Sequence, residues 1–347
     1  MSGGVDSSVA AALLAREGHD VVGLSMQLYD QSNGEITFGS CCTIDDLYDA
    51  RRVATAIGIP HYIVNFERKF EDHVISDFVR EYAAGRTPIP CVHCNGDLKF
   101  ASLVERAEGF DAEAVATGHY AQVSFDEESR RYRLGRGVDA QKDQSYFLFT
   151  LSQAQLARAR FPVGHLDKAA VREEAHRLGL RVAGKKDSQE ICFVPSGEHP
   201  DFVGRRAALP GGAIRDREGN ELGRHEGIHR FTIGQRKGLG LATGVPLYVV
   251  GIDAETASVT VGSKTDLERD TLTASRVNWM SGDVPAGPFR AHARIRYRHT
   301  EAPATITPID ADRARVVFDH PQSAITPGQA VVFYDGNYVV GGGWIDN

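Results

Sequence analysis

A glycine- and serine-rich loop that opens directly into a helix constrains this chain more than any other stretch. The loop reads Met1-Ser2-Gly3-Gly4-Val5-Asp6-Ser7-Ser8, strong helix formers follow, and Gly18 is placed to end the helix. The first N–H groups of a helix lack intrahelical partners and lie at the positive end of its dipole. Glycine lets a backbone approach an anion closely, and serine adds hydroxyl donors. The loop is therefore a candidate phosphate cradle, although a turn with a capping hydroxyl explains Ser2-Gly3-Gly4 alone equally well.

Composition and charge limit the class of protein. The chain has 347 residues, of which 42% are hydrophobic and 24% charged, which is typical of a globular protein with two or three domains. It contains no apolar run of about 18 residues and no visible secretory signal, so we expect no membrane association. Five cysteines, an odd number, indicate reduced thiols and a cytoplasmic location. Because the net charge is −7, a nucleic-acid surface would have to be a local basic patch.

Strand and helix patterns alternate through the first half of the chain. Strands are predicted at residues 20–27, 61–65 and 114–119, and helices at residues 43–57, 67–84, 96–107, 152–160 and 167–178. Thr43 and Asp46 form a capping-box pattern, and Gly58 and Gly85 are placed to end helices. The alternation predicts a parallel sheet covered by helices. Its carboxyl edge would bring the first loop close to Thr117-Gly118-His119.

The second half is dominated by short strands. From about residue 200, glycine and proline are frequent, and strands are predicted at residues 247–250, 257–261, 315–318 and 330–334. We therefore expect an α/β domain over residues 1–200, a small central β domain over 201–267 and a barrel-like β domain over 268–347. Basic residues alternate with apolar ones from Arg290 to Arg298, which predicts a strand with one basic face. Such a face is either solvated or in contact with phosphates.

Three cysteines lie in patterns that indicate chemistry. Cys91 and Cys94 follow two prolines that hold the backbone extended, and Asn95 is a candidate N-cap of the next helix. Cys94 would then lie at a positive helix end that favours its thiolate. A zinc half-site is as consistent with this spacing as redox chemistry. Cys192, taken alone, is typical of a buried core thiol. The adjacent pair Cys41 and Cys42 is expected to be structural or incidental.

The first loop differs from both common phosphate-loop motifs and resembles a third. No Gly-Lys-Ser/Thr follows it, and it is not G-x-G-x-x-G. The sequence SGGVDSS resembles the pyrophosphate loop of the ATP pyrophosphatase superfamily, whose members split ATP between the α and β phosphates to adenylate a substrate. In that superfamily a buried strand precedes the loop. No such strand precedes it here, so we expect this first strand to be missing from the sequence.

Five motifs in order extend the resemblance along nearly the whole chain. They are SGGVDSS, RTPIPCVHCN (86–95), ATGHY (116–120), KDQSYFL (142–148) and DSQEICF (187–193). Together they resemble the bacterial tRNA-specific 2-thiouridylases, a far more specific match than any single motif gives. The resemblance implies that ATP adenylates O2 of the wobble uridine and that sulfur then replaces AMP. It also implies tRNA acceptors for Glu, Gln and Lys, and a persulfide donor such as a cysteine desulfurase or a relay protein.

The resemblance also assigns roles to individual residues. Cys94 matches the nucleophile and Cys192 the persulfide carrier, with a disulfide between them during turnover. The ATP-contacting positions match Ser2, Gly3, Gly4, Val5, Asp6, Ser7, Ser8, Met26 and Gly118. The tRNA-contacting positions match His119, Lys142, Asp143, Gln144, Arg296, Tyr297 and Gln329, and the stretch that meets the target base matches Ile89, Pro90 and Cys91. Asp6 is a candidate ligand of Mg²⁺.

One departure from the family opens a second chemistry. Many members carry aspartate where this chain has Cys91, so that Cys91, Cys94 and Cys192 give three thiols here. Three thiolates suit a [4Fe–4S] cluster with one open iron, which related tRNA thiolases use to hold hydrosulfide. The cluster and the two-cysteine persulfide route both remain open. The competing functions are another adenylating enzyme, of the amidotransferase or argininosuccinate ligase type, and a non-catalytic RNA-binding or metal-storage protein. The paired cysteines count against the former and the intact Asp6-Ser7-Ser8 against the latter.

Overall fold

A computed structural model of the chain describes residues 1–28, 43–186, 191–194 and 197–347. Cys41, Cys42 and residues 187–190 of the DSQEICF motif lie outside the described residues. The helices are α1 (Val5–Arg16), α2 (Ile44–Ile57), α3 (Glu67–Phe70), α4 (Ser76–Ala83), α5 (Pro90–His93), α6 (Ala101–Gly109), α7 (Gln153–Arg158), α8 (Lys168–Arg177) and α9 (His199–Arg206). The π-helical segment Glu71–Ile75 joins α3 to α4, and a second one, Cys94–Phe100, joins α5 to α6. Short 3₁₀ segments occupy Ser145–Leu148, Arg181–Gly184, Ile228–Arg230 and Thr265–Leu267.

Sixteen strands are present in the described residues. In the first half they are β1 (Gly23–Gln27), β2 (His61–Asn65), β3 (Val115–Ala116), β4 (Ala121–Asp126), β5 (Arg131–Arg136) and β6 (Ala159–Arg160). The second half has β7 (Gly212–Arg215), β8 (Glu221–His225), β9 (Tyr248–Asp253), β10 (Ser258–Gly262), β11 (Glu268–Trp279), β12 (Phe289–Arg294), β13 (Ala302–Pro308), β14 (Ala314–Ser323), β15 (Ala330–Asp335) and β16 (Tyr338–Ile345).

Local signals place the ends of the helices in the α/β half. The N–H of Asp46 donates to Thr43 Oγ1 at 3.1 Å, and the N–H of Thr43 donates back to Asp46 Oδ2 at 2.8 Å. This capping box starts α2, and Gly58 ends it with φ +76°. Gly85 follows α4 with φ +71°. The predicted starts and ends of these helices are confirmed.

Four strands of the α/β half pair in parallel, as predicted, but in the described residues they form two separate two-stranded sheets rather than one. β1 pairs with β2 over five residues, and β3 pairs with β6. The strand predicted at residues 114–119 is only two residues long, so Thr117, Gly118 and His119 extend beyond its carboxyl end. Helix α1 packs against α8 through Val5, Val9 and Val171, which are buried together. The first loop and the end of β3 are thereby held on the same side of this half.

The C-terminal region forms a closed barrel, which confirms the predicted barrel-like domain. Its strand order is β11-β14-β13-β12-β15-β16, and β16 pairs again with β11 to close the barrel. The interior is apolar, with Ala293, Ile306, Val316 and Phe333 fully buried. The central region forms a separate four-stranded sheet in the order β8-β7-β10-β9. Among the described residues, none of the helices has the length and apolarity that crossing a membrane requires.

The hairpin β4–β5 joins the two halves of the chain. Its second strand pairs with β16 of the barrel, where Leu134 lies opposite Val339. Leu134, Tyr146, Val339 and Trp344 are buried in one shared core. No local sequence pattern predicts this hairpin, because its stabilising partner, β16, lies about 200 residues further along the chain. Burial of this shared apolar surface fixes the barrel against the α/β half.

The predicted basic strand is shorter than expected. Along β12, Arg290 and His292 are exposed while Ala291 and Ala293 are buried, so the alternation is confirmed as far as Arg294. The strand ends at Arg294, and Arg296 and Arg298 lie beyond it. The prediction of one continuous basic face from Arg290 to Arg298 was therefore wrong. Arg290 is also paired, donating to Asp319 at 2.7 Å.

Candidate active site

The first loop folds tightly before α1. Gly3 has φ +73°, and a Cβ there would lie 2.1 Å from the carbonyl oxygen of Asp46, so only glycine fits. Gly4 is the N-cap of α1, and its carbonyl accepts from Ser8 Oγ at 2.8 Å. The N–H of Ser2 donates to Ser7 Oγ at 3.0 Å. The loop therefore presents a glycine backbone next to a helix N-terminus, which is the arrangement that binds phosphate groups.

Asp6 lies in a polar cluster beside the loop. Its Oδ1 accepts from the hydroxyl of Tyr120 at 2.7 Å and from Lys168 Nζ at 2.7 Å, and Lys168 also reaches Oδ2 at 2.9 Å. Lys168 is the first residue of α8 and Tyr120 follows the end of β3. Sequence reasoning missed both residues, because no local pattern marks a partner more than 100 positions from Asp6. The cluster places an ammonium group close to where an anion would bind.

The end of β3 contacts the first loop, as predicted. A Cβ on Gly118 would lie 2.5 Å from the backbone nitrogen of Ser7 and 2.6 Å from the carbonyl carbon of Asp6. Glycine is therefore required for this close approach of two backbones. His119 Nδ1 lies 2.7 Å from the Thr117 hydroxyl. Burial, with a smaller contribution from the charge of Lys99, lowers the pKa of His119 to about 3, so its imidazole is neutral at physiological pH.

The helix that carries Cys94 begins earlier than predicted. Pro90 is its first residue, a position that suits proline because its missing N–H needs no partner there. Cys94 is therefore the fifth residue, and Asn95 is buried within the following π-helical segment. The predictions that Asn95 caps this helix and that Cys94 lies at its N-terminus were wrong. Cys91, in the first turn, is the cysteine closer to the positive helix end.

Cys94 and Cys192 belong to the same buried cluster. Cys94 is 7% exposed, and Cys192 packs against this cluster together with Phe193. Met26 of β1 belongs to the cluster too, and Phe193 makes an edge contact with Phe78 at 5.2 Å between ring centres. The fold thus gathers two cysteines that are distant in the sequence around one apolar cluster, which includes a residue of β1.

Cys91 is placed differently from the other two cysteines. It is exposed at the start of α5, outside the buried cluster that contains Cys94. Within the described ranges, no three histidine, cysteine or acidic side chains are arranged to hold a metal ion. The three thiols as placed here do not fit the ligand set of an iron–sulfur cluster, and no step below is derived through one.

A barrel loop holds the segment that leads to Cys91. Gln329 Nε2 donates to the carbonyls of Thr87 at 3.0 Å and Pro88 at 3.3 Å. The N–H of Thr87 donates to the carbonyl of Pro327 at 2.9 Å. One turn later, His93 stacks on Trp344 of β16 with ring centres 5.1 Å apart. The barrel therefore fixes both ends of the stretch that contains Ile89, Pro90 and Cys91, and Ile89 and Pro90 are buried there.

The predicted tRNA-contacting residues of the two halves lie close together. Tyr297 packs on Phe147 with ring centres 4.4 Å apart, beside the segment that begins at Lys142. Burial and the charge of Asp143 raise the pKa of Tyr297, and burial lowers the pKa of Arg296. Gln144 uses its side-chain oxygen to accept from the N–H of Tyr120 at 3.0 Å. These residues form a partly buried seam between the α/β half and the barrel.

Asp143 is the buried centre of this seam, with 3% of its surface exposed. Its Oδ1 accepts from the N–H groups of Gly137 and Ser145, both at 3.1 Å. Arg136 and Arg294 each approach Oδ2 at 3.6 Å. A carboxylate so enclosed holds other groups in place, so its contribution to tRNA binding would come through Arg294 and its neighbours.

Replacement of this carboxylate should destabilise the whole protein. Asp143→Ala removes the acceptor of the buried N–H groups of Gly137 and Ser145 and the carboxylate that faces the guanidinium of Arg294, which costs about 3 kcal/mol of unfolding free energy. Urea denaturation followed by circular dichroism measures the loss. The control is Asp283→Ala, which removes an exposed ion pair with Arg131 and should change stability by less than about 0.5 kcal/mol. Equal stabilities of the two variants would contradict this role of Asp143.

Comparison with protein families covers nearly the whole chain. Residues 1–196 match the model of the tRNA methyl transferase HUP domain, 200–263 the tRNA methyl transferase PRC-barrel domain, and 269–345 the aminomethyltransferase beta-barrel domain. A solved structure of NMN synthetase from Francisella tularensis aligns with 59% of this chain and 74% of its own at 17% identity, with a TM-score of 0.34.

Curated relatives match along their full length. The tRNA-specific 2-thiouridylase MnmA of Solibacter usitatus is 53% identical, with 100% of this chain and 98% of that protein covered. The protein of the same name from Geotalea uraniireducens is 52% identical, with 100% of this chain and 94% of that protein covered. The one from Koribacter versatilis is 49% identical, with 99% of this chain and 97% of that protein covered. With a glycine loop at a helix N-terminus, two cysteines at one apolar cluster and matches at about half identity from end to end, the chain belongs to the tRNA-specific 2-thiouridylase family.

Proposed function

We propose that this protein uses ATP to replace the O2 oxygen of the wobble uridine of tRNA with sulfur, in the cytoplasm. One observation carries the proposal: the hydroxyl of Ser25 in β1 donates at 2.6 Å to the carbonyl of Met1, where the glycine loop begins, and the next residue, Met26, belongs to the cluster that contains Cys94 and against which Cys192 packs. ATP chemistry and sulfur chemistry would thus take place in one site. The presence of Cys94 and Cys192 also disfavours an amidotransferase or ligase activity, because those reactions need no pair of cysteines.

The first step activates the uridine. Its O2 attacks the α phosphate of ATP, the bond between the α and β phosphates breaks, and pyrophosphate leaves towards the backbone N–H groups of Gly3, Gly4 and Val5. Lys168 stabilises the negative charge that develops there. Asp6, the carboxylate beside the loop, is the residue that would hold Mg²⁺, and the ion would supply further charge neutralisation. The product is an O2-adenylated uridine with AMP as its leaving group.

The second step transfers sulfur. A donor protein first loads Cys192 as a persulfide, whose terminal sulfur attacks C2 of the adenylated uridine while AMP departs. The thiolate of Cys94 then attacks Sγ of Cys192. The bond between this Sγ and the sulfur on C2 breaks, and that sulfur remains on the tRNA as the thiocarbonyl. Cys94 and Cys192 are left as a disulfide, which an external thiol reduces before the next cycle. Their membership of one buried cluster supports this exchange.

The tRNA would bind across the seam between the two halves. A base inside the anticodon stack must be flipped out to reach the cysteines. We propose that Ile89, Pro90 and Cys91 meet this base, since the barrel loop at Gln329 holds the segment in place. His119, Lys142, Arg296 and Tyr297 would contact the surrounding RNA. In this division of labour, residues 1–200 perform the chemistry, 268–347 bind tRNA, and 201–267 connect the two, with tRNAs for Glu, Gln and Lys as acceptors.

Reconstitution with defined components tests the proposal. Purified protein, ATP, a small-molecule persulfide and a tRNA transcript should yield pyrophosphate and a tRNA that is retarded on a mercury-containing gel. A transcript with cytidine at the wobble position is the matched control and should give neither product. Pyrophosphate release that is equal with both transcripts would contradict a uridine substrate. Release that requires ammonia or an amino acid would instead support the amidotransferase or ligase alternative.

A further inference from the structure

Lys185 connects the first loop to helix α2. Its Nζ donates to the carbonyl of Gly3 at 3.0 Å, to Asp46 Oδ1 at 2.5 Å and to Asp49 Oδ2 at 2.7 Å. The side chain is 33% exposed. Burial alone would lower the pKa of Lys185, but its hydrogen bonds to the carboxylates of Asp46 and Asp49 and their negative charges outweigh this effect, so the net pKa is raised. The ammonium therefore stays charged at physiological pH.

The bond to Gly3 determines the direction of a second backbone group. A trans peptide is planar, and its C=O and N–H point in opposite directions. Because Lys185 holds the carbonyl of Gly3 towards α2, the N–H of Gly4 points away from α2. Gly4 is the N-cap of α1 and is the residue with which the anion-binding helix end begins. Lys185 thus holds one anion donor of the loop in a fixed orientation.

The backbone that carries Lys185 is itself anchored. Its N–H donates to the carbonyl of Val182 at 3.0 Å, and its carbonyl accepts from Arg172 Nη2 at 3.1 Å. Arg172 belongs to α8, which packs against α1. The backbone position from which the Lys185 side chain reaches Gly3 is therefore fixed relative to α1.

We propose that Lys185 is a positioning residue that presents the Gly4 N–H to the departing pyrophosphate. The inference deepens the proposed function and rests on it, because it assumes that pyrophosphate leaves into this loop. Lys185 touches neither the uridine nor the transferred sulfur in this scheme. Its effect comes through the peptide group between Gly3 and Gly4.

Two methionine variants isolate this role. Lys185→Met keeps the length of the side chain and removes the ammonium, whereas Lys186→Met makes the same change at its exposed neighbour. We expect Lys185→Met to lower the kcat of pyrophosphate release by about 10- to 100-fold, the effect of losing one aligned donor. The KM for ATP and the binding of tRNA should change little. Lys185→Arg, which restores a donor to the Gly3 carbonyl, should recover part of the rate, and Lys186→Met should match the wild type.

A second measurement needs neither tRNA nor catalysis. Inorganic pyrophosphate with Mg²⁺ should bind to the wild type and to Lys186→Met with the same Kd in isothermal titration calorimetry, and about 10-fold more weakly to Lys185→Met. A lower melting temperature with a normal kcat for the folded fraction would show a structural role only and would overturn the proposal, as would a Kd for pyrophosphate that is unchanged in Lys185→Met. A wild type that releases no pyrophosphate from ATP would refute the proposed function instead, and the binding measurement would still test the orientation of the Gly4 N–H.

Discussion

Serine in place of either Cys94 or Cys192 is expected to abolish thiolation of tRNA while leaving adenylation in place. A hydroxyl can neither carry a persulfide nor form the disulfide that releases the sulfur, so the rate should fall by about a thousand-fold or more. The glycine loop and Asp6 lie apart from this change, so each variant should still release a burst of pyrophosphate equal to its own concentration. Pyrophosphate is measured by a coupled assay, and thiolation by mercury-gel retardation of the same samples.

Cys91→Asp is the matched control for the two variants Cys94→Ser and Cys192→Ser. It restores the residue common in the family at an exposed position outside the cluster of Cys94 and Cys192. We expect it to keep most of the thiolation activity, with no iron in the anaerobically purified protein. If Cys91→Asp loses both the iron and the thiolation activity of the wild type, the result would contradict the persulfide route and support a cluster held by three thiolates. Full activity of Cys94→Ser would contradict both routes.

Alanine at Gly3 or Gly118 should remove the first step as well. At Gly3 the new Cβ meets a backbone carbonyl 2.1 Å away and must also adopt φ +73°. At Gly118 it meets the backbone of Ser7 at 2.5 Å, so the loop and the end of β3 must separate. Because donors that move out of line lose most of their stabilisation of the leaving pyrophosphate, we expect its release to slow by about 100-fold or more.

The control for these two variants is Gly109→Ala. Gly109 is the last residue of α6, and a Cβ there meets nothing within 4 Å. This variant should release pyrophosphate at the wild-type rate, and its melting temperature should be unchanged or slightly higher. Wild-type rates for Gly3→Ala and Gly118→Ala would show that the loop does not bind the pyrophosphate. Slow release in all three variants would trace the defect to general instability.

Features that depend on neighbouring residues could be predicted from the sequence. The capping box of Thr43 and Asp46 and the left-handed Gly58 are short-range patterns, and both delimit α2 as expected. The start of the next helix was misjudged because two local signals compete there. Asn95 is a good N-cap, but Pro90 is also well suited to the first turn of a helix, and packing of His93 on Trp344 supports the earlier start.

Features that depend on distant partners could not be predicted from the sequence. Hairpin β4–β5 is stabilised by β16, and the contacts of Lys185 with Gly3 and of Lys168 with Asp6 span more than 160 residues. The alternation of basic and apolar residues from Arg290 correctly predicts strand β12. The chain turns after Arg294, however, and the guanidinium of Arg294 donates to the carbonyl of Tyr297. This contact is local, and together with the hydrogen bond from the N–H of His299 to the carbonyl of Arg296 at 3.0 Å it forms a turn where the alternation predicts a strand.

The fate of the uridine oxygen tests the account most directly. A tRNA transcript labelled with oxygen-18 at O2 of its wobble uridine is incubated with the protein, ATP and a persulfide, and the AMP produced is analysed by mass spectrometry. Adenylation at O2 predicts that the label appears in the phosphate of AMP in the same amount as thiolated tRNA forms. Oxygen-18 water with unlabelled tRNA should leave the AMP unlabelled. Unlabelled AMP from the labelled tRNA, alongside thiolated product, would contradict the O2-adenylated intermediate.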